Sequence, residues 1–301
     1  MKIKIFLFIF LLIFPLFSMD LKKFVEDVKN IPDNVLYYKA LDGKKLAYRV
    51  VSPESPNGVL IFVHGIVVYG KYYLPFAQEL AKYGIKVYLP DLRGHGNSEG
   101  KRGDSPDALT IVQDLGIFYQ MVLKENPLLP IYLGGHSMGA GLTLKYVKEL
   151  NLYPSGLILI GGGLPVENIS PKSRDLLKQK TISRFLQFLS PIFPHFRVIS
   201  FDLPQEIKDP LLVTNYSLAF FRAVFPSNMK VIWEGINLPI LAIVGDKDEF
   251  LEKKDVERVF SVYKRENRSF IILENTDHID VLEKSIKYII EWITGGENGR
   301  F

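Results

Sequence analysis

"PIYLGGHSMGAGLTLKYVKEL", Pro130–Leu150, changes character at its middle. Up to Gly135 it is a short apolar run closed by glycines, which reads as a buried strand, and from Gly139 onward it reads as a helix. Between them, Gly135-His136-Ser137-Met138-Gly139 fits G-x-S-x-G, a pattern in which a serine sits on a strained strand-to-helix turn. Glycines at 135 and 139 then have a cause, because strand and helix backbones approach too closely there to admit a Cβ. The turn is tight, not loose. "GNSEG", Gly96–Gly100, fits the same pattern, but no strand ends just before Ser98 and no helix starts just after it. Ser98 therefore reads as a loop residue.

Strands and helices alternate outward from that turn. "VLYYKA" and "LAYRVVS" flank Asp42-Gly43, a hairpin signal, and "GVLIFVHG" reads as a fully buried strand. Helix "YYLPFAQELAKYG", strand "IKVYLPD", helix "PDALTIVQDLGIFYQMVLKEN", the strand and helix around Ser137, and strand "GLILIGG" follow. Helical connections of this length imply parallel pairing with right-handed crossovers. From Leu164 to about Asn237 the rhythm breaks. No clear strand is predicted there, only helical stretches such as "TISRFLQFLS" and "DPLLVTNYSLAFFRAVFP", the latter started by Asp209 with Pro210 in its first turn. Strand "PILAIVG", helix "KKDVERVFSVY", strand "RSFIILE" and helix "VLEKSIKYIIEWI" then resume the pattern. The expectation is an α/β fold with a mostly parallel eight-stranded sheet and helices on both faces. Residues 20–163 and 238–301 would form its core, with 164–237 an inserted helical cap.

Composition narrows the chemistry. A net charge of +4, or +2 without Lys2 and Lys4 of the leader, argues against a nucleic-acid footprint. With no cysteine, disulfides, thiolate metal sites and a cysteine nucleophile are excluded. No paired-histidine motif or carboxylate cluster at ligand spacing predicts a metal. Residues 1–19 hold two lysines and an uncharged apolar run from Ile5 to Phe17, which resembles a secretory signal or an uncleaved N-terminal membrane anchor. Export or membrane anchoring is expected, with a cytoplasmic protein carrying a packed N-terminal helix as the alternative.

A serine hydroxyl needs a base within hydrogen-bond reach, itself oriented by an acid. The chain has five histidines. His136 adjoins Ser137 and would project away from it, His64 and His95 precede the elbow, and His195 lies among cap prolines and phenylalanines. His278, in "LENTDHIDVLEK" between the last strand and the last helix, is left as the base, at the carboxyl end of the sheet where active sites collect. For the acid, "PILAIVG" runs into Gly245-Asp246-Lys247-Asp248, and both carboxylates are candidates. An oxyanion formed by attack on a carbonyl needs preorganised N–H donors. The Met138 amide at the start of the elbow helix is one, and Ile66 in "FVHGIVVYG" is the candidate for the other.

"VHG" after a strand, "DLRGHGNSEG" after the next, "GHSMGAG" at the turn, "GDKDEF" and "DHIDVLEK" together resemble the monoacylglycerol lipase and lysophospholipase group of α/β hydrolases, also catalogued with serine aminopeptidases. The resemblance runs from about Leu36 to the final helix. It implies Ser137 as nucleophile, Asp248 as acid in G-x-x-D, His278 as base, Ile66 and Met138 as oxyanion donors, and no cofactor. Arg93 and His95 in "RGHG" carry over as structural.

The cap bears on substrate. Ile182, Phe185, Leu186 and Leu189 share one helical face beside Phe188, and "LAFFRAVF" is apolar nearly all round, a lining for an acyl chain as well as ordinary packing. The expectation is a serine hydrolase acting through an acyl-enzyme on carboxylic esters of fatty acids, a monoacylglycerol or lysophospholipid, with membrane association through leader and cap. Two alternatives stand. An aminopeptidase would need cap carboxylates among Glu167, Asp202, Glu206 and Asp209 to hold an ammonium, and a non-catalytic scaffold would have lost a triad member. Oligomeric state is not legible.

Overall fold

The computed structural model describes residues 13–15, 20–28, 30–166, 192–203 and 206–295. In chain order they form β1 (Ile13–Pro15), α1 (Asp20–Val28), β2 (Leu36–Lys39), β3 (Lys45–Val51), β4 (Gly58–Val63), α2 (Leu74–Ala81), β5 (Ile85–Pro90), α3 (Thr110–Glu125), β6 (Ile131–His136), α4 (Met138–Glu149) and β7 (Gly156–Ile160). Then come β8 (Arg197–Asp202), β9 (Asn215–Ser217), α5 (Leu218–Val224), α6 (Met229–Gly235), β10 (Ile240–Gly245), α7 (Lys253–Val262), β11 (Arg268–Leu273) and α8 (Asp280–Thr294).

Eight strands make one sheet in the order β11-β10-β7-β6-β4-β5-β3-β2, parallel except where β3 pairs with β2 and β5. Its central strands β4, β7 and β10 are apolar throughout because both of their faces are buried. Val59, Ile61 and Val63 enter the core under α3 and α4, while Leu60 and Phe62 enter the one under α2 and α8. The same alternation divides Leu157 and Leu159 from Ile158 and Ile160. In register, Val63 faces Gly135, His136 faces Ile160, and Ile160 faces Ile243. The carboxyl ends of four strands thus meet at one edge, where the loops carrying the candidate residues emerge.

The segment between β7 and β10 leaves and rejoins adjacent strands of the sheet. Its described part departs from the sequence expectation of helices alone. Arg197–Asp202 and Asn215–Ser217 pair antiparallel, and Ile13–Pro15 pairs parallel with the former, a second sheet of three strands. "RVISF" is rich in β-branched and aromatic residues, which suits a strand. The helix expected from Asp209 begins only at Leu218. Asp209 is spent elsewhere, accepting from the Tyr69 hydroxyl at 2.9 Å, the Tyr72 hydroxyl at 2.8 Å and the Leu211 amide at 2.8 Å. The N-cap is Ser217, whose hydroxyl accepts from the Phe220 amide at 3.1 Å. "TISRFLQFLS", with Ile182, Phe185, Leu186, Phe188 and Leu189, lies outside the described residues, as does most of the leader. Among the described residues no helix is long and apolar enough to cross a membrane.

Candidate active site

Ser137 stands between the last residue of β6 and the first of α4 with φ 56° and ψ −120°. A non-glycine residue there costs about 1–3 kcal/mol and persists only where its surroundings over-determine it. They do. The Ser137 amide donates to the Ile160 carbonyl at 2.9 Å and its carbonyl accepts from Ala140 at 3.1 Å. A Cβ on Gly135 would strike the Gly139 backbone, one on Gly139 the Val63 carbonyl, and one on Gly162 the Ser137 carbonyl. The serine is therefore wedged where β4, β6 and β7 end.

His278 occupies the loop between β11 and α8. A Cβ on Gly161 would lie 3.4 Å from its Cε1, so Ser137 and His278 border the same glycine turn, Gly161-Gly162. Its Nδ1 donates to Asp248 Oδ2 at 2.7 Å, leaving Nε2 as the acceptor nitrogen. Asp248 Oδ1 accepts from the Phe250 and Leu251 amides at 2.8 and 3.1 Å. Burial lowers the His278 pKa, but the Asp248 charge and hydrogen bond, with Glu249 and Asp277, outweigh it and leave the value raised. Among the described residues the Ser137 hydroxyl has no hydrogen-bond partner. Asp246, the other candidate acid, accepts from the Thr276 amide at 3.2 Å, while Lys247 N–H donates to the Thr276 carbonyl at 2.9 Å. It fastens the loop that carries His278, and Asp248 meets the imidazole.

Met138 and Gly139 begin α4, where a helix offers its own amides no acceptor. In the facing loop after β4 the amides on either side of Ile66 are engaged. Gly65 N–H donates to the Tyr73 hydroxyl at 2.8 Å and Val68 N–H to the Ile66 carbonyl at 2.9 Å. Ile66 N–H has no partner among the described residues. Gly65 lies close to the serine, since a Cβ on it would be 3.5 Å from Ser137 Cβ. An unpartnered amide on each side of Ser137 is what an oxyanion requires.

The other histidines hold the frame. His64 donates from Nδ1 to the Gly65 carbonyl at 2.7 Å and accepts from Leu92 N–H at Nε2, 3.1 Å, with its pKa lowered by burial to about 4. His136 donates to the His278 carbonyl at 2.8 Å and accepts from Tyr73 at 3.1 Å, tying the Gly65 loop to the base through two side chains. Sequence reasoning missed that relay, because nothing in "KYYLPF" distinguishes Tyr73 from a core aromatic. His195 pairs with Asp104 at 3.0 Å. Arg93 forks onto Asp114 and Asp42. Ser98 donates to the Asp91 carbonyl at 2.7 Å and accepts from Ala47 N–H at 2.8 Å, a brace between loop and strand. Among the described residues no group of three His, Cys, Asp or Glu could hold a metal ion.

Residues 54–285 match the family model described as serine aminopeptidase, S33. The chain is 27% identical over 269 residues to monoglyceride lipase of Rattus norvegicus, covering 83% of this chain and 87% of the relative. It is 26% identical over 229 residues to monoacylglycerol lipase of Mycolicibacterium smegmatis, 71% of this chain and 79% of the relative. Among solved structures, a soluble variant of Saccharomyces cerevisiae monoglyceride lipase with a substrate analog superposes with a TM-score of 0.71 at 18% identity, covering 91% of this chain and 98% of that one. Paleococcus ferrophilus monoacylglycerol lipase gives 0.64 at 22%, covering 83% and 98%. Both have the same fold.

Proposed function

We infer from two facts, that the chain belongs to the serine aminopeptidase, S33 family and that a buried Asp248–His278 pair borders its elbow serine, that it is a serine hydrolase of lipid carboxylic esters. The pair carries the reading. His278 Nε2 takes the Ser137 proton as Oγ attacks the acyl carbon, and the amides of Ile66 and Met138 receive the oxyanion. Collapse expels the alcohol, which leaves with the proton from His278, and the acyl group stays on Ser137. Water, deprotonated by the same nitrogen, then attacks the acyl-enzyme and releases the fatty acid. The residues supply base, acid and oxyanion stabilisation by themselves, so the proposed reaction needs no cofactor.

Monoacylglycerol is the proposed substrate and lysophospholipid the neighbouring one. The lipase relatives support this choice, as do the apolar stretches of the inserted segment. The leader's composition supports a site of action outside the cytoplasm or at a membrane. The peptidase alternative loses one of its carboxylates, because Asp209 is already bonded to two tyrosine hydroxyls and an amide.

An organophosphonate probe followed by mass spectrometry, with turnover of monoacylglycerols, lysophospholipids and aminoacyl amides, tests the reading. The adduct is expected on Ser137, with monoacylglycerol turned over fastest. Labelling of Ser98, or amide turnover exceeding ester turnover, would overturn it.

A further inference from the structure

The loop after β4 carries a strain that the triad does not account for. Val67 has φ 73°, a left-handed conformation that is a genuine outlier for a β-branched residue. Since Val68 N–H donates to the Ile66 carbonyl at 2.9 Å, residues 66–68 form the strained, positive-φ kind of γ-turn. Such a turn persists only when something outside it holds it. Both holding contacts come from the inserted segment. Val67 N–H donates to the Tyr216 hydroxyl at 2.8 Å, and Val213 N–H donates to the Val67 carbonyl at 3.0 Å.

Tyr216 is placed to accept from Val67. Its own proton goes to His95 Nε2 at 3.3 Å, an acceptor because the His95 Nδ1 proton is donated to the Arg93 carbonyl at 3.1 Å. The tyrosine is wholly buried, and its ring stacks on His95 at 5.7 Å and meets Phe220 at 4.7 Å. Loop, tyrosine and histidine therefore form one satisfied chain. Of the four amides from Gly65 to Val68, the one left over is Ile66 N–H.

We infer that Tyr216, contributed by the inserted segment, is a positioning residue for the oxyanion hole: by bonding the Val67 amide it holds the γ-turn that keeps Ile66 N–H unpartnered beside Ser137. If Val67 relaxes to negative φ, the γ-turn bond breaks and the Ile66–Val67 peptide is free to rotate. Ile66 is then fixed only from the Gly65 side. The inserted segment in this way sets the chemistry as well as covering it. This inference rests on the serine-hydrolase reading.

Tyr216→Phe removes the hydroxyl and keeps the stacked ring. Removing an oxyanion donor outright costs about 10²–10³ in kcat, so loosening one should cost about 10- to 100-fold. The loss should appear equally in kcat on a small soluble p-nitrophenyl ester and in the rate of phosphonate labelling at Ser137, with KM changed by less than about 3-fold. Val67→Gly supplies the control, because glycine adopts positive φ without strain. Adding Tyr216→Phe to that background should cost less than about 5-fold, a coupling that ordinary loss of packing would not give. An unchanged kcat in Tyr216→Phe, a loss confined to KM, or the same loss in both backgrounds overturns the inference. If Tyr216→Phe alone does not fold, the pair Val67→Gly and V67G/Y216F decides by the same criterion. Parent protein that takes no label at Ser137 would refute the hydrolase reading itself, a separate outcome.

Discussion

The sheet and the segment inserted between β7 and β10 are held in opposite ways. Each central strand is fixed by its own alternation, sending successive side chains into two cores and ending level with its neighbours. The inserted segment is fixed by side chains that reach across the chain. Asp209 takes hydroxyls from Tyr69 and Tyr72, Asp104 binds Ser217 and His195, and Tyr216 bonds Val67. In the proposed reaction a framework set by local pattern supplies the reacting groups, and the role inferred for Tyr216 has a segment set by distant contacts trim their geometry.

The largest effect that sharpens this contrast belongs to the framework. Asp248→Asn leaves His278 without its orienting carboxylate and should cut kcat by as much as ~10⁴-fold with the fold retained, by analogy with serine proteases. Asp246→Asn weakens the acceptor of the Thr276 amide and should cost about 1 kcal/mol of stability with turnover near normal. Measuring kcat and Tm for both variants decides which carboxylate is the acid. Normal turnover in Asp248→Asn with collapse in Asp246→Asn would reverse the roles.

A smaller effect falls on the segment. Asp209→Asn replaces a charged acceptor of two tyrosine hydroxyls and should cost about 2–3 kcal/mol. Proteolysis should then begin between residues 192 and 217, ahead of the sheet. Cleavage in the sheet first, or an unchanged Tm, would mean that the segment is held by something other than these anchors.

The same contrast explains what the sequence made legible. The eight strands, the elbow at Ser137 and the loop of His278 are written in runs of five to twenty residues whose period decides their structure. Asp246 and Asp248, two residues apart on one turn, could not be separated by the residues alone, because the choice depends on where the Thr276 amide and the imidazole arrive from another strand. The strand at Arg197–Asp202 and the late start of α5 were hidden for a similar reason. Asp209 and Pro210 are a sound helix start, and only Tyr69 and Tyr72, some 140 positions earlier, divert the aspartate. Val67 gave no signal at all. A valine at positive φ contradicts local preference, and the tyrosine that makes it tolerable lies 149 residues away.

The smallest effect is a displacement on the pH axis, and it asks which region sets the base. In the proposed reaction His278 must be neutral to accept the Ser137 proton, so kcat/KM should fall as pH drops through its pKa. Burial pulls that pKa down, and Asp248, followed by Glu249 and Asp277, pushes it further up, so the acid limb should have its midpoint above the ordinary 6.5. His64, lowered to about 4, and His95 and His136, also lowered by burial, stay neutral across that range and contribute nothing to the limb. In Asp248→Asn the main raising influence is gone while burial remains, so the limb of the residual activity should move to lower pH. His195, which joins the inserted segment to Asp104, should leave the limb in place when changed to Gln. Profiles of kcat/KM on a soluble ester from about pH 5 to about pH 9 separate the cases. A limb that stays put in Asp248→Asn but moves in His195→Gln would place control of the base in the inserted segment and break the division drawn between the two regions.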